Sequence, residues 1–121
     1  MNPSLEALTL ESFGRLSARP GLALIDFGAA WCPPCRVYSP VFAATAARFP
    51  EVAFATVDVD AQPTLADLFD VRSLPTTIAL RDGEYVGRLV GAVGAPTLER
   101  LVTELVDRGS FNLAEARRAV P

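Results

Sequence analysis

Hydrophobic positions along the chain follow two alternating periods. Gly21-Leu22-Ala23-Leu24-Ile25-Asp26-Phe27 is an almost unbroken apolar run, bounded by Arg19-Pro20 before it and Gly28-Ala29-Ala30 after it. A run that short, with turn residues at both ends, predicts a strand buried on both faces. Val52 to Val59 repeats the pattern and predicts a second buried strand. Thr76 to Leu80 and Tyr85 to Val90 predict two more. They are joined by Arg81-Asp82-Gly83-Glu84, whose Asp-Gly pair is a hairpin signal.

Helical spacing fills the intervals. Pro34 to Arg48 carries Val37, Val41, Ala44 and Phe49, which the spacing puts on one side, and its alanines favour a helix. Pro40, inside that stretch, predicts a kink. Pro63 suits the first position of a short helix, with Leu65, Leu68 and Phe69 expected to face the core. Pro96 to Arg108 gathers Leu98, Leu101, Val102, Leu105 and Val106 on one face, and Gly109 is a fitting stop. A weak opening element over Leu8 to Leu16 includes a short helical run around Ser12.

The order is therefore β-α-β-α-β-β-α. A βαβ half implies parallel strands and a hairpin half antiparallel ones, so the expected class is α/β, a mixed sheet with helices on both faces. One domain is expected over residues 1–108. Residues 109–121 form an extension in which Asn112 and Glu115 resemble a helix-start pair, predicting one more short helix.

Composition narrows the chemistry. The chain has 121 residues, half of them apolar, which suits a single core. A net charge of −3 argues against nucleic acid as a partner. The opening residues lack a basic region, and no apolar run approaches the ~18 residues of a membrane span. A cytoplasmic protein is expected. There is no His and no Lys, all eleven basic residues being Arg. Cys–His and Ser–His pairs and Schiff-base chemistry are thereby excluded. Two cysteines cannot close a Cys/His zinc site within one chain. No metal is expected, and the remaining metal option is an iron–sulfur cluster shared between two chains.

Both cysteines and the single tryptophan lie in Trp31-Cys32-Pro33-Pro34-Cys35. This segment falls between the first buried strand and the long helix, with Pro34 expected as the first helical residue and Pro33 outside it. Unpaired N–H groups and a partial positive charge at a helix start stabilise a thiolate. Neither proline has an N–H, so the nearest donor for Cys32 is the Cys35 amide. Cys32 is expected to be the exposed attacking thiol and Cys35 the buried resolving thiol. The pair would exchange with a disulfide by way of a mixed disulfide on Cys32.

With these residues in view, the chain resembles the thioredoxin family over about residues 8–108. The likeness rests on Ile25-Asp26-Phe27 ahead of Ala30-Trp31-Cys32, on Pro40, on Val59-Asp60 followed by Pro63, on Ser73-Leu74-Pro75-Thr76, and on Gly91-Ala92. It implies the thioredoxin fold and thiol–disulfide oxidoreductase activity. It makes Asp26 a buried acid that accepts the proton of the resolving cysteine. Pro75 would be cis beside the cysteines, and Leu74 would pair its backbone with an extended substrate. Trp31, Pro33, Gly91 and Ala92 would complete the substrate-facing surface, while Pro34 and Pro40 serve structure. No bound cofactor is implied. Electrons would come from a partner reductase, NADPH-linked in the family, and pass to disulfide-containing proteins, with the chain a monomer.

The chain departs from the family at Pro33, where Gly is usual, and at Gly28, where an aromatic is frequent. A lysine that often partners the buried acid is matched here by Thr56, so Asp26 is expected to resist ionisation. Two alternatives stay open: an oxidant or isomerase on the same fold, and a binding or chaperone-like module in which the thiols matter little.

Overall fold

The apolar runs become the strands of one five-stranded sheet in the computed structural model, which describes residues 5–108. The elements are β1 (Glu6–Ala7), α1 (Leu10–Ala18), β2 (Leu22–Gly28), α2 (Pro33–Arg48), β3 (Ala53–Asp58), α3 (Pro63–Leu68), β4 (Thr76–Arg81), β5 (Glu84–Val90) and α4 (Ala95–Arg108). The stop at Gly109 and the short helix of the extension lie outside the described residues.

The sheet runs β1-β3-β2-β4-β5. β2 is central, parallel to β3 and antiparallel to β4, which explains its lack of polar alternation: both of its faces are covered. One face carries Leu22, Leu24, Phe54 and Ala79 under α2 and α4, with Tyr38, Phe42, Leu98, Val102 and Leu105 packed into it. The other carries Ala23, Ile25, Phe27, Val57, Ile78 and Leu80 against α1 and α3. Because side chains alternate along a strand, Asp26 falls on the α2/α4 face with Leu22 and Leu24.

The opening element is more than a weak helix. β1 pairs with β3 in parallel, Glu6 opposite Ala55 and Ala7 opposite Thr56. Two residues carry no readable period, which is why the pattern misses this strand. α1 then starts from a capping box: the Ser12 amide donates to Thr9 Oγ1, and the Thr9 amide donates to Ser12 Oγ.

Two helix faces differ from expectation. α2 buries Cys35, Tyr38, Phe42, Thr45 and Ala46, not the side of Val37 and Ala44, which are exposed. The buried column includes a Tyr and a Thr, and alanines stand on both sides, so apolar spacing alone points the wrong way. In α3, Leu65 is fully buried and Phe69 packs in, whereas Leu68 is 62% exposed. A six-residue helix has room for one inward column, and residues 65 and 69, four apart, occupy it. Pro40 lies inside α2, which runs unbroken to Arg48; the missing N–H falls on the exposed side.

The hairpin uses a two-residue loop, with Arg81 opposite Glu84 and both Asp82 (φ 52°) and Gly83 (φ 82°) left-handed. Gly83 also lies against α1: a Cβ there would overlap the Ser17 carbonyl oxygen.

Candidate active site

β2 leads straight into the cysteine segment. Its last residue, Gly28, is followed by Ala29, which packs with Cys32 and Cys35 as a small buried cluster backed by Val59 and Leu74. Cys32 and Cys35 form a disulfide across 5.3 Å between Cα atoms. Cys32 is the N-cap of α2, extended at φ −96° and ψ 106°, as a residue before proline should be. Its Sγ accepts the Cys35 N–H at 3.3 Å, the donor expected once both prolines are discounted.

Two expectations are corrected here. α2 begins at Pro33, so the two prolines occupy the first two helical positions rather than straddling the boundary. Neither position needs an N–H, and a proline's fixed φ suits the first turn, which outweighs the bias that Pro34 places on its predecessor. Cys32 is also not the exposed member of the pair. In the disulfide form Cys32 is 4% and Cys35 8% exposed, because Ala29, Val59 and Leu74 close over both.

Asp26 lies deeper on the same strand. Gly28, two residues on and on the same face, would direct a Cβ to 3.4 Å from both Cβ and Sγ of Cys35. Two strand residues span about 6.6 Å, so the Asp26 backbone lies about that far along β2 from Gly28. It is 8% exposed, and its Oδ1 is buried without a hydrogen-bond partner. Its neighbours in register are Thr56 on β3 and Thr77 on β4. Among the described residues no cation offsets the burial, and desolvation pushes the carboxyl up to about 7. Beside it, Tyr38 is fully buried with its hydroxyl 2.7 Å from Thr77 Oγ1. Burial, and secondarily the Asp26 charge, push that phenol up to about 12.

The remaining expected residues sit around the disulfide. The Leu74–Pro75 bond is cis, Leu74 packs against the cysteine cluster, and the Gly91 N–H donates to the Pro75 carbonyl at 2.8 Å. Gly91 has φ 103°, which its lack of a side chain permits, and Ala92 is exposed. Trp31 is 65% exposed on the other flank, its indole N–H donating to Asp60 Oδ2 at 2.7 Å. Pro33 and Pro34 are exposed beside the disulfide, whereas Pro40 lies farther along α2 and takes no part in the site. Pattern reading missed Tyr38 and Thr77, whose pairing spans α2 and β4, and Arg88, which grips the loop before Pro75. Asp60 was visible only as part of a spacing, not as the tryptophan's partner. Among the described residues, no three His, Cys, Asp or Glu side chains converge as metal ligands, and no helix is long and apolar enough to cross a membrane.

Comparison with known proteins agrees with this geometry. The family model described as Thioredoxin matches residues 4–104. A thioredoxin of Chlamydia trachomatis is 39% identical over 100 residues, which cover 83% of this chain and 97% of the relative. Among solved structures, the oxidised mitochondrial thioredoxin 3 of Saccharomyces cerevisiae matches with a TM-score of 0.78 at 33% identity, over 84% of this chain and 96% of that one. The thioredoxin of Trypanosoma brucei brucei matches with a TM-score of 0.80 at 29% identity, over 88% and 95%.

Proposed function

The chain belongs to the thioredoxin family and is a thiol–disulfide oxidoreductase; from that premise we propose that it reduces protein disulfides, with Cys32 as nucleophile and Cys35 as resolving thiol. The observation that carries the reading is the Cys32–Cys35 disulfide at the start of α2 with a carboxyl of near-neutral pKa behind it.

In the reduced protein, the Cys32 thiolate attacks one sulfur of a substrate disulfide. A bond forms between Cys32 and that sulfur, and the substrate's other sulfur leaves as a thiolate that takes a proton from solvent. Cys35 then gives its proton to the Asp26 carboxylate, directly or by way of water. The Cys35 thiolate attacks Cys32 Sγ, forming the intramolecular disulfide and expelling the second substrate thiolate. Two electrons pass to the substrate, and the protein ends in the oxidised form described above. A carboxyl titrating at about 7 suits this step, since it can both accept and return a proton at neutral pH.

On the same reading, Leu74 and cis-Pro75 dock an extended substrate chain, with Trp31, Pro33, Gly91 and Ala92 around it. The protein works as a cytoplasmic monomer in electron transport, without a bound cofactor, and is recharged by a partner reductase of the NADPH-linked kind. The catalytic unit is residues 1–108, with 109–121 as an appended segment.

The deciding test is the reduction potential of the Cys32–Cys35 couple, by equilibration with glutathione. Reference values are about −270 mV for thioredoxin and about −120 mV for a strong disulfide donor. A value near the first is expected. A value near the second would mean that Pro33 and Pro34 have set the site to donate disulfides, and the direction of reaction would be reversed.

A further inference from the structure

The loop between α3 and β4 ends in cis-Pro75, and its beginning is held both locally and from β5. α3 closes in a left-handed cap: Val71 N–H reaches Ala66 O at 2.9 Å and Asp70 N–H reaches Asp67 O at 3.1 Å. Asp70, at φ 52°, occupies the position usually given to glycine. These bonds use the carbonyls of residues 66 and 67. The carbonyls of Phe69 and Asp70 lie past the end of α3, with no helical donor to follow.

Arg88 on β5 supplies the donors. Its Nη2 donates to Phe69 O at 2.5 Å and its Nη1 to Asp70 O at 3.3 Å. The guanidinium is aimed by Tyr85: Nε donates to the phenol oxygen at 3.0 Å, and Cζ lies 5.4 Å from the ring centroid. Arg88 pairs in register with Ile78, a residue of the α1/α3 face, so its side chain emerges on the side where the loop runs. Three residues on, the Gly91 amide holds the other end of the loop at Pro75 O. β5 and the residue that follows it thus grip the loop at both ends. The four residues between these anchors include Leu74, which packs on the disulfide cluster.

We propose that Arg88 is a positioning residue for substrate docking: by fixing the two carbonyls at the start of the loop, it sets the course of residues 71–75 and hence the backbone of Leu74 that meets an extended polypeptide. The proposal rests on the reading of this loop as the docking site. A small disulfide has no chain to lay along Leu74, so it should not sense the change. Two donors fixed in one plane are what an arginine fork provides and a lysine lacks.

The experiment compares the parent chain with Arg88→Met and Arg88→Lys. Each reduced protein is mixed with insulin or with cystamine, and the single-turnover rate constant is read for each. Amide hydrogen exchange of residues 71–74 is measured alongside. Arg88→Met is expected to lower the insulin rate roughly tenfold, to leave the cystamine rate within about twofold, and to speed exchange at residues 71–74 while the amides of β2 and β3 stay protected. Arg88→Lys should fall between, and it carries the test if Arg88→Met does not fold. Unchanged exchange at residues 71–74 would show that Arg88 does not hold the loop. Equal losses on insulin and cystamine, or none on either, would show that holding it does not serve docking. A parent chain inert toward both disulfides would overturn the functional reading itself, whatever the exchange data show about the loop.

Discussion

Replacing Asp26 with Asn should make the protein more stable, and the gain should depend on pH. The carboxyl is moved from its ordinary value of 3.8 to about 7, and burial is the cause. A raised acid pKa means that the folded chain holds a proton which the unfolded chain releases. Stability is therefore highest below the unfolded value, falls as pH rises from about 4 to about 7, and stays low above that. The linkage integral over a shift of this size gives a penalty of about 4 kcal/mol at pH 8, roughly half that at pH 5 and near zero at pH 3. Asn keeps the shape and carries no charge. The parent's Oδ1 has no hydrogen-bond partner to lose, but the Asn amide brings buried N–H donors that offset part of the gain at every pH. Urea unfolding of the oxidised parent and of Asp26→Asn, at pH 4, 6 and 8, reads the difference directly. The variant should be the more stable at pH 8, with its advantage shrinking as the pH falls. A difference that does not change with pH, or a parent that is the more stable at pH 8, would refute the claim that this carboxylate is desolvated and uncompensated.

Two further substitutions test the frame around the site. Tyr38→Phe removes one hydroxyl and strands Thr77 Oγ1 in a fully buried position, so it should destabilise the protein by about 1–2 kcal/mol in denaturant unfolding; a neutral result would mean that Thr77 finds another partner. Gly83→Ala places a Cβ against the Ser17 carbonyl at φ 82°, and should cost at least about 2 kcal/mol, read as a lowered unfolding midpoint; a midpoint within error of the parent would show that the hairpin can move off α1.

Local chemistry determined much of this protein before any fold was visible. The run Leu22–Phe27 is apolar because its strand is central, and a central strand needs no polar face. Asp-Gly at positions 82 and 83 sets a two-residue hairpin because both positions need left-handed backbone. Two prolines between the cysteines leave the Cys35 amide as the donor to Cys32, and that bond is present. The family likeness was legible for the same reason, since its signature residues sit at fixed spacing along one chain. What the sequence could not decide is which of several small, mixed faces turns inward. α2 buries Tyr38 and Thr45 because β4 offers Tyr38 a hydroxyl partner and the sheet fixes the helix's rotation, whereas apolar spacing favoured Val37 and Ala44. The proton affinity of Asp26 is set by burial between strands whose paired residues, Thr56 and Thr77, lie 30 and 51 residues away and carry no charge. Arg88 reads as an ordinary surface arginine until β5 is laid beside the loop from α3. Each of these belongs to tertiary structure for one reason: a hydrogen bond or a dielectric environment is set by what lies within a few ångströms, and residues distant in sequence supply most of it.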